Sequence, residues 1–217
     1  RFGFGEKTAP DFSKESRGLF RTRKYWSKLT MGSLPMGQEI SVTMPQLARA
    51  YSVIANGGIL VEPYVVERAV ARDGWVTYQH DSTARNRIIS PETAKTMQEL
   101  MHEVVLHGTG TAANIMEYRV GGKTGTAQMA KPNGGGYEEG KYTTVFAGFA
   151  PLADPRLVAV IVVQEPLNKL RYGGYVCGPV FKQVVSSSLS AMSVPKDPVT
   201  DPEVVAAWEK QQKLNPP

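Results

Sequence analysis

An apolar stripe at helical spacing predicts the first helix of the chain. Between residues 47 and 54, apolar side chains fall at positions i, i+3, i+4 and i+7, the pattern of one buried helix face. Thr43 precedes this run as a cap, Pro45 lies in the first turn, and the glycine pair after Asn56 follows as a stop signal. Residues 1–40 have little periodicity and many Gly, Ser, Lys and Arg residues, so we expect surface loops with short helical turns there.

The middle of the chain predicts a small hairpin followed by a longer helix. β-Branched and aromatic residues at 64–71 and 75–78 flank the turn sequence Arg72-Asp73-Gly74, and we assign this hairpin no chemistry. Ser90, with a proline and a glutamate directly after it, is typical of a helix start. Apolar positions then repeat on one face until Gly108, which predicts the end of the helix.

Strand patterns dominate the second half of the chain. Residues 119–128 are read as a strand, and the patterns of residues 142–150 and 156–164 predict two more strands, joined by a turn at Ala153-Asp154-Pro155. Their hairpin connections predict an antiparallel sheet, and the apolar density of the third strand predicts that this sheet is packed rather than solvated. The mixture of predicted helices with an antiparallel sheet gives an α+β fold class.

Two further segments complete the predicted fold. Residues 129–141 contain Pro132-Asn133-Gly134-Gly135-Gly136, and we expect a long mobile hairpin loop there. A helical pattern from Val176 to Leu189 follows Gly173-Gly174 and is expected to cover one face of the sheet. From about Ser193 the chain is rich in Pro, Asp and Lys, so we predict a tail with one helix at 204–213.

Length and charge describe a mildly basic globular protein. The 217 residues suffice for one large domain or most of one, and the formal net charge of +5 is interspersed with acids. The densest basic stretch, Arg17 to Lys28, is expected to be a solvated loop, and we expect no nucleic-acid partner. Cys177 is the only cysteine, which excludes an internal disulfide.

The sequence also predicts no bound metal and no membrane helix within the chain. His102 and His107 are five residues apart, whereas the zinc-protease pattern places its histidines four apart on one helix face, so we expect no metal and no cofactor. The longest apolar run, Leu157 to Val163, is far shorter than the roughly 20 residues of a membrane helix. The chain has no signal-peptide pattern and no initiator methionine, which leads us to expect a piece of a longer protein.

The segment from Arg119 to Gln128 is the strongest candidate for chemistry. Strand alternation puts Thr124 and Thr126 on one face and Lys123 on the other. The lysine therefore meets the threonines only along the strand edge, around which its long side chain can curl. An unpaired edge could also bind a peptide as an added strand. A surface hairpin with a solvated lysine is the alternative.

Gly122-Lys123-Thr124 resembles two known motifs. A nucleotide-binding P-loop needs a glycine five residues before the Gly-Lys pair and a helix after it. Here Glu117 occupies the first position and Gly125 follows the threonine, which argues against a P-loop. The second motif is the Lys-Thr-Gly strand of penicillin-recognising serine enzymes.

The flanks of this motif resemble the transpeptidase domain of class B penicillin-binding proteins, and the likeness runs in order from about residue 1 to 190. The matching segments are Phe2-Gly3-Phe4-Gly5, Gly37-Gln38, Ser41-Val42-Thr43, Gln46 to Tyr51, Asn56-Gly57-Gly58, Thr109-Gly110-Thr111-Ala112, Tyr118-Arg119-Val120, Gly122 to Gln128, Phe149-Ala150-Pro151 and Asp154-Pro155-Arg156. The resemblance implies a β-lactamase/transpeptidase-like fold, an antiparallel sheet flanked by helices, of which this chain is the C-terminal portion.

The resemblance implies peptidoglycan cross-linking by a serine D,D-transpeptidase. In that family a serine attacks the D-Ala-D-Ala end of a stem peptide, and β-lactams stall the enzyme at the acyl stage. Carried onto this sequence, Lys123 would supply positive charge near the nucleophile and the substrate carboxylate. The hydroxyls of Thr124 and Thr126 would hold that carboxylate, the Thr126 backbone N–H would serve the oxyanion hole, and Gly125 would keep the edge open.

The nucleophile expected from the resemblance is not found in the sequence. The only S-x-x-K match, Ser193 to Lys196, has a proline where a helix must place Ser and Lys on one face, and no S-x-N match exists. In the family both motifs precede the Phe-Gly-Phe-Gly region. We therefore expect residues 1–192 to be the C-terminal part of a transpeptidase domain and residues 193–217 a tail, with the chain inactive alone.

The expected partners follow from the same resemblance. They are peptidoglycan stem peptides, β-lactam antibiotics, the N-terminal half of the domain and, through the parent protein, membrane partners in cell-wall synthesis. The parent is expected to be anchored in the inner membrane with this domain in the periplasm or outside the cytoplasmic membrane. The motif spacing resembles the division type, but the motifs do not fix division or elongation use. A β-lactam-sensing or structural pseudo-transpeptidase and a serine β-lactamase are the alternatives.

Overall fold

The computed structural model of the protein describes residues 2–9, 14–81, 86–133, 135–167 and 171–214. The chain divides into two compact units, residues 1–95 and residues 96–217. In chain order the first unit contains β1 (Leu19–Phe20), α1 (Thr30–Ser33), β2 (Ile40–Ser41), α2 (Met44–Ala55), β3 (Ile59–Leu60), β4 (Arg68–Val70), β5 (Val76–Gln79), β6 (Asn86–Arg87) and the start of α3 (Pro91–Leu106).

The helix predicted behind Thr43 is confirmed as α2. Its N-terminus is a capping box, in which the Thr43 hydroxyl accepts from the Gln46 backbone N–H and the Gln46 side chain accepts from the Thr43 backbone N–H. The Gln46 side-chain amide also donates to the carbonyls of Glu6 (2.7 Å) and Arg17 (2.9 Å). This buried glutamine therefore ties two loop segments to the start of the helix.

Gln46→Ala is expected to destabilise the protein by about 2–4 kcal/mol. The substitution removes half of the capping box and leaves the two loop carbonyls without their amide donor. Thermal or denaturant unfolding of the purified protein measures this loss. Gln79→Ala is a matched control because Gln79 is exposed on β5, and a surface change of this kind stays within about 0.5 kcal/mol. An equal effect of both substitutions would contradict the role of Gln46.

Two expectations for the first unit are confirmed only in part. The predicted hairpin exists, but its first strand β4 covers only residues 68–70 of the predicted 64–71, and β5 lies one residue later than predicted, at 76–79. The expectation of surface loops in residues 1–40 is wrong at Thr8, Ala9 and Thr30, which are buried. Loop residues can be buried when neighbours satisfy their polar groups, as Glu15 does for the Thr8 backbone N–H (2.7 Å) and hydroxyl (2.8 Å).

The second unit is built on a three-stranded antiparallel sheet with the order β7-β8-β9. The helix predicted from Ser90 is confirmed as α3, which ends in this unit. The helix predicted after Gly173-Gly174 is confirmed as α4, which already begins at Gly173. The remaining elements are β7 (Gly121–Ala130), β8 (Tyr137–Ala150), β9 (Leu157–Gln164), α4 (Gly173–Ala191) and α5 (Pro202–Leu214).

The long mobile loop predicted for residues 129–141 is wrong. β7 continues to Ala130 and β8 begins at Tyr137, with Ala130 opposite Tyr137 across the pair. Two paired strands satisfy each other's backbone hydrogen bonds, so they can extend beyond the packed sheet without an apolar pattern. Gly134, in the middle of the predicted loop, lies outside the described residues.

Helix α4 packs against all three strands and forms the core of this unit. Phe181 from α4 meets Phe146 from β8 edge to face, with their ring centroids 4.7 Å apart. Around this pair lie Val105, Ala113, Ile115, Tyr118, Val120, Ala150, Cys177, Val185 and Leu189. The antiparallel sheet flanked by helices and the α+β class are thus confirmed.

The segment after α4 is bound to the residues that lead into β7. Arg119 forms an ion pair with Asp197 (2.7 Å), and its backbone N–H donates to the Asp197 carbonyl (2.7 Å). The Tyr118 hydroxyl donates to the Val194 carbonyl (3.1 Å). The helix predicted at 204–213 is confirmed as α5, while residues 215–217 of the predicted tail lie outside the described residues. The domain boundary at 192 stays a prediction.

Candidate functional site

Residues 121–128 of the strand predicted at 119–128 lie in β7, at one side of the sheet, while Arg119 and Val120 precede it. Among the described residues β7 pairs with β8 alone, so its other edge has no strand beside it. Thr124, which lies opposite Phe146, and Thr126, which lies opposite Thr144, are both in this strand. The predicted strand edge is therefore present.

The pairing pattern tells which backbone groups face this edge. The Glu165 backbone N–H donates to the Tyr142 carbonyl (2.9 Å), so Tyr142 directs its backbone groups toward β9. Antiparallel partners alternate between hydrogen-bonded and non-hydrogen-bonded pairs, so Thr144 also faces β9 rather than β7. Thr126, opposite Thr144, consequently directs its N–H and C=O away from β8 and toward the open edge.

Two contacts agree with this assignment. The His102 ring Nδ1 lies 2.8 Å from the Val120 carbonyl and donates to it. The Lys123 ammonium group donates to the Thr124 carbonyl (3.1 Å) and lies 3.4 Å from the Thr124 hydroxyl. Val120 and Thr124 are each an even number of residues from Thr126, so their carbonyls face the same strand edge as the Thr126 backbone groups. Lys123 therefore curls around the strand edge to the threonine side, as the sequence predicts.

Thr124 and Thr126 share the sheet face on which α4 lies. The α4 residue Cys177 contacts Thr144, the partner of Thr126, and the α4 residue Phe181 contacts Phe146, the partner of Thr124. A cavity of about 430 Å³ opens there. Its lining residues are Gly108, Thr109, Thr111, Ala112, Thr124, Gly125, Thr126, Tyr172, Gly173, Gly174 and Tyr175.

Each of the two β7 threonines has a hydrogen-bond partner behind it. The Thr124 hydroxyl lies 2.7 Å from the hydroxyl of Thr109, in the loop after α3. The Thr126 hydroxyl accepts from the backbone N–H of Gly173, the first residue of α4 (3.2 Å). The first amides of a helix have no partner inside the helix, so this amide is available to a side chain.

Glycine at position 173 allows this close approach of α4 to the sheet. A Cβ there would lie 2.3 Å from the Val145 carbonyl oxygen and 2.6 Å from the Gly125 carbonyl oxygen. Both are backbone atoms that cannot rotate away. Gly125 differs, because a Cβ at that position would meet the Val145 side chain at 2.6 Å.

The structure brings together all four predicted site residues, Lys123, Thr124, Gly125 and Thr126, on one strand. Sequence reasoning assigned no role to Thr109 or to the Gly173 amide. Thr109 belongs to a small polar loop before the strand, but only the packing of α3 and α4 brings the two residues to β7. Within the described ranges, no His, Cys, Asp and Glu side chains cluster as a metal site would require, and no helix has the length and hydropathy of a membrane span.

Comparison with known protein families gives a match over most of the chain. The profile described as penicillin-binding protein transpeptidase domain matches residues 1–186. Penicillin-binding protein PbpB of Mycolicibacterium smegmatis is 36% identical over 210 residues, which are 93% of this chain and 32% of that protein. The probable peptidoglycan D,D-transpeptidase PenA of Neisseria flavescens is 36% identical over 205 residues, 94% of this chain and 48% of that protein.

Solved structures give the same result. Penicillin-binding protein 3 of Mycobacterium tuberculosis in complex with ampicillin has a TM-score of 0.84 and 33% identity, covering 93% of this chain and 46% of that chain. The transpeptidase domain of penicillin-binding protein 3 from Burkholderia pseudomallei has a TM-score of 0.75 and 33% identity, covering 92% of this chain and 57% of that chain. The chain thus spans about a third to a half of the length of the curated relatives described above.

Proposed function

The chain belongs to the penicillin-binding protein transpeptidase family, and on this premise we propose that it forms one wall of a peptidoglycan D,D-transpeptidase site. The observation that carries the proposal is the open edge of β7. There the Thr126 N–H and C=O point outward beside the two threonine hydroxyls and the Lys123 ammonium group. The hydroxyls and the ammonium group would bind the terminal carboxylate of a peptide substrate, and the Thr126 N–H would bind its reacting carbonyl.

The backbone of Thr126 supports acyl transfer. Its N–H would be one oxyanion-hole donor for the reacting carbonyl, and its C=O would accept the amide proton of an extended substrate. Because the two groups belong to one residue of a paired strand, their direction is fixed before the substrate arrives. Gly125, the next residue, has no side chain to collide with that of its β8 partner Val145, so β7 can pair closely with β8 at this point.

The side chains of the same strand support carboxylate binding. The hydroxyls of Thr124 and Thr126 lie on one face, at the rim of the cavity. The Lys123 ammonium, held at the Thr124 carbonyl, brings positive charge to that rim. Together they would hold the terminal carboxylate of a stem peptide or the carboxylate of a β-lactam, and they would favour the developing charge on the nucleophile.

The remaining expectations are part of this proposal. The nucleophilic serine and its lysine neighbour would come from a segment outside this chain, and so would a membrane anchor that places the domain outside the cytoplasmic membrane. Stem peptides are the proposed substrates, and β-lactams the proposed inhibitors. The relative from Mycobacterium tuberculosis was solved with ampicillin, which supports the same ligand class here.

A fluorescent penicillin is expected to label the full-length gene product in a way that prior incubation with ampicillin prevents. A transpeptidase acylates quickly and loses the acyl group slowly, so the label should persist through gel electrophoresis after a chase with unlabelled drug. Label that disappears within the chase would instead support a serine β-lactamase. Absence of any label would contradict the proposal and favour a non-catalytic pseudo-transpeptidase.

A further inference from the structure

The loop after α3 contacts the Thr124 hydroxyl through Thr109, and the first residue of α4 contacts the Thr126 hydroxyl through its backbone N–H. We propose that Thr109 is a positioning residue, which donates a hydrogen bond to the Thr124 hydroxyl and thereby directs the Thr124 proton toward the carboxylate of the ligand. This inference rests on the proposed function, because it concerns the same carboxylate. It adds a residue that lies outside the Lys-Thr-Gly-Thr strand.

The argument begins with the protons available at Thr124. A hydroxyl has one proton to donate and two lone pairs to accept with, whereas an ionised carboxylate only accepts. Thr124 can therefore bind a carboxylate only by giving its single proton to it. The contact of 2.7 Å between the hydroxyls of Thr124 and Thr109 can then persist only if Thr109 is the donor.

Lys123 fixes the same direction from another side. Its ammonium group has only protons to offer, and it lies 3.4 Å from the Thr124 hydroxyl oxygen. With Thr109 and Lys123 both donating to Thr124, the lone pairs of that oxygen are occupied. Neither Thr109 nor Lys123 then accepts the Thr124 proton, which is left to bind a ligand in the cavity.

The Thr126 hydroxyl also accepts a hydrogen bond and keeps its own proton, but its donor is a backbone amide. The Gly173 backbone N–H can only donate, so the Thr126 hydroxyl accepts at 3.2 Å and retains its own proton for a ligand. Both threonines are thus arranged as donors to one carboxylate. Of the two groups behind them, only Thr109 is a side chain, so only its hydroxyl can be removed without altering the backbone.

The position of Thr109 is itself fixed by packing. The loop after α3 is closed by a hydrogen bond from the Gly110 backbone N–H to the Val104 carbonyl (3.0 Å). On its other side, a Cβ at Gly174 would lie 2.2 Å from the Thr109 carbonyl oxygen, so the absence of a side chain there lets α4 hold the loop against β7. Thr109 is therefore held at hydrogen-bond distance by backbone contacts on two sides.

The test compares Thr109→Val, Thr109→Ser and the control Thr200→Val in the full-length gene product. Valine keeps the shape of threonine but cannot donate, whereas serine keeps the hydroxyl. Thr200 is an exposed threonine between α4 and α5, and it does not line the cavity. The acylation rate constant is measured by competition with a fluorescent penicillin, once for ampicillin and once for its methyl ester, which lacks the negative carboxylate.

Thr109→Val is expected to slow acylation by ampicillin about 10-fold, because a hydrogen bond to a charged ligand is weakened. Acylation by the methyl ester should change less than about 3-fold, since the ester has no carboxylate for the Thr124 proton to stabilise. Thr109→Ser should restore most of the ampicillin rate, and Thr200→Val should leave both rates near the wild-type values.

Equal slowing of acylation by both compounds in Thr109→Val, or equal rates for Thr109→Val and Thr200→Val, would overturn the proposal. Thermal melting of each variant accompanies the kinetics, and a lowered melting temperature with both rates reduced would mean that Thr109 has only a structural role. If the wild-type protein takes no label, the proposed function fails before the variants are compared. If it is labelled and the ester contrast is absent, only the role of Thr109 fails.

Discussion

Lys123→Ala is expected to slow labelling of the full-length gene product by a fluorescent penicillin at least about 100-fold. The substitution removes the positive charge at the rim of the cavity, where the ligand carboxylate and the charge of the attacking oxygen would both be stabilised, and losing one such group typically costs a factor of about 100 to 1,000. The loss should appear in the acylation step, measured as label incorporated against time at several drug concentrations. The fold should persist because the Lys123 side chain is exposed.

Lys131→Ala is the matched control for charge. Lys131 is an exposed lysine directly after β7, eight positions from Lys123, and its removal changes the net charge equally. We expect labelling to stay within about 2-fold of the wild-type rate, because surface charges more than about 10 Å apart interact weakly at physiological salt. A similar loss in both variants would mean that Lys123 acts only through long-range attraction of the anionic drug.

Lys123→Arg separates charge from geometry. Arginine keeps the positive charge but replaces a compact ammonium group by a planar fork. The observed contact joins the Lys123 ammonium to the Thr124 carbonyl over 3.1 Å at the strand edge, and a fork of this size displaces that geometry. We expect a labelling rate between those of the wild-type protein and Lys123→Ala. A rate equal to that of the wild-type protein would contradict the role given to this contact.

The helices and the sheet were predictable because their signals are local. A cap, a first-turn proline and a repeating apolar face were enough for α2 and α3, and the apolar density of residues 158–163 was enough for β9. The end of β7 and the start of β8, at residues 129–130 and 137–141, were not predicted because exposed paired strands need no apolar pattern. The burial of Thr8 was missed because its hydrogen bonds to Glu15 depend on a loop conformation that no periodicity reports.

The candidate site was predictable only as far as one strand reaches. Alternation along β7 placed Lys123, Thr124 and Thr126 and indicated that the lysine must curl around an edge. The contacts of Thr109 and of the Gly173 amide arise when α3 and α4 pack against this strand, and they join residues 15 and 47 positions apart. Such contacts depend on tertiary packing, which a single sequence does not encode in any local pattern.

Phe146→Ala is expected to have the largest effect on stability, about 3–5 kcal/mol in the free energy of unfolding. Phe146 is fully buried, stacks edge to face with Phe181, and its ring fills the space left by Gly122 on β7. Truncating a buried phenylalanine loses its apolar contacts and leaves a cavity beneath the strand that carries the site. Denaturant unfolding of the purified protein measures the change.

The same ring makes Gly122 sensitive to a single methyl group. A Cβ at Gly122 would lie 2.5 Å from the Phe146 ring, so Gly122→Ala alone should cost about 1–3 kcal/mol through overpacking. In the Phe146→Ala protein the new methyl group enters the cavity instead, and the added cost should fall by more than about 1 kcal/mol. Gly32→Ala, whose Cβ would meet nothing within 4 Å, should combine additively with Phe146→Ala. Additive behaviour of Gly122→Ala with Phe146→Ala would show that the ring does not set the size of residue 122, and the account of how β8 supports β7 would be wrong.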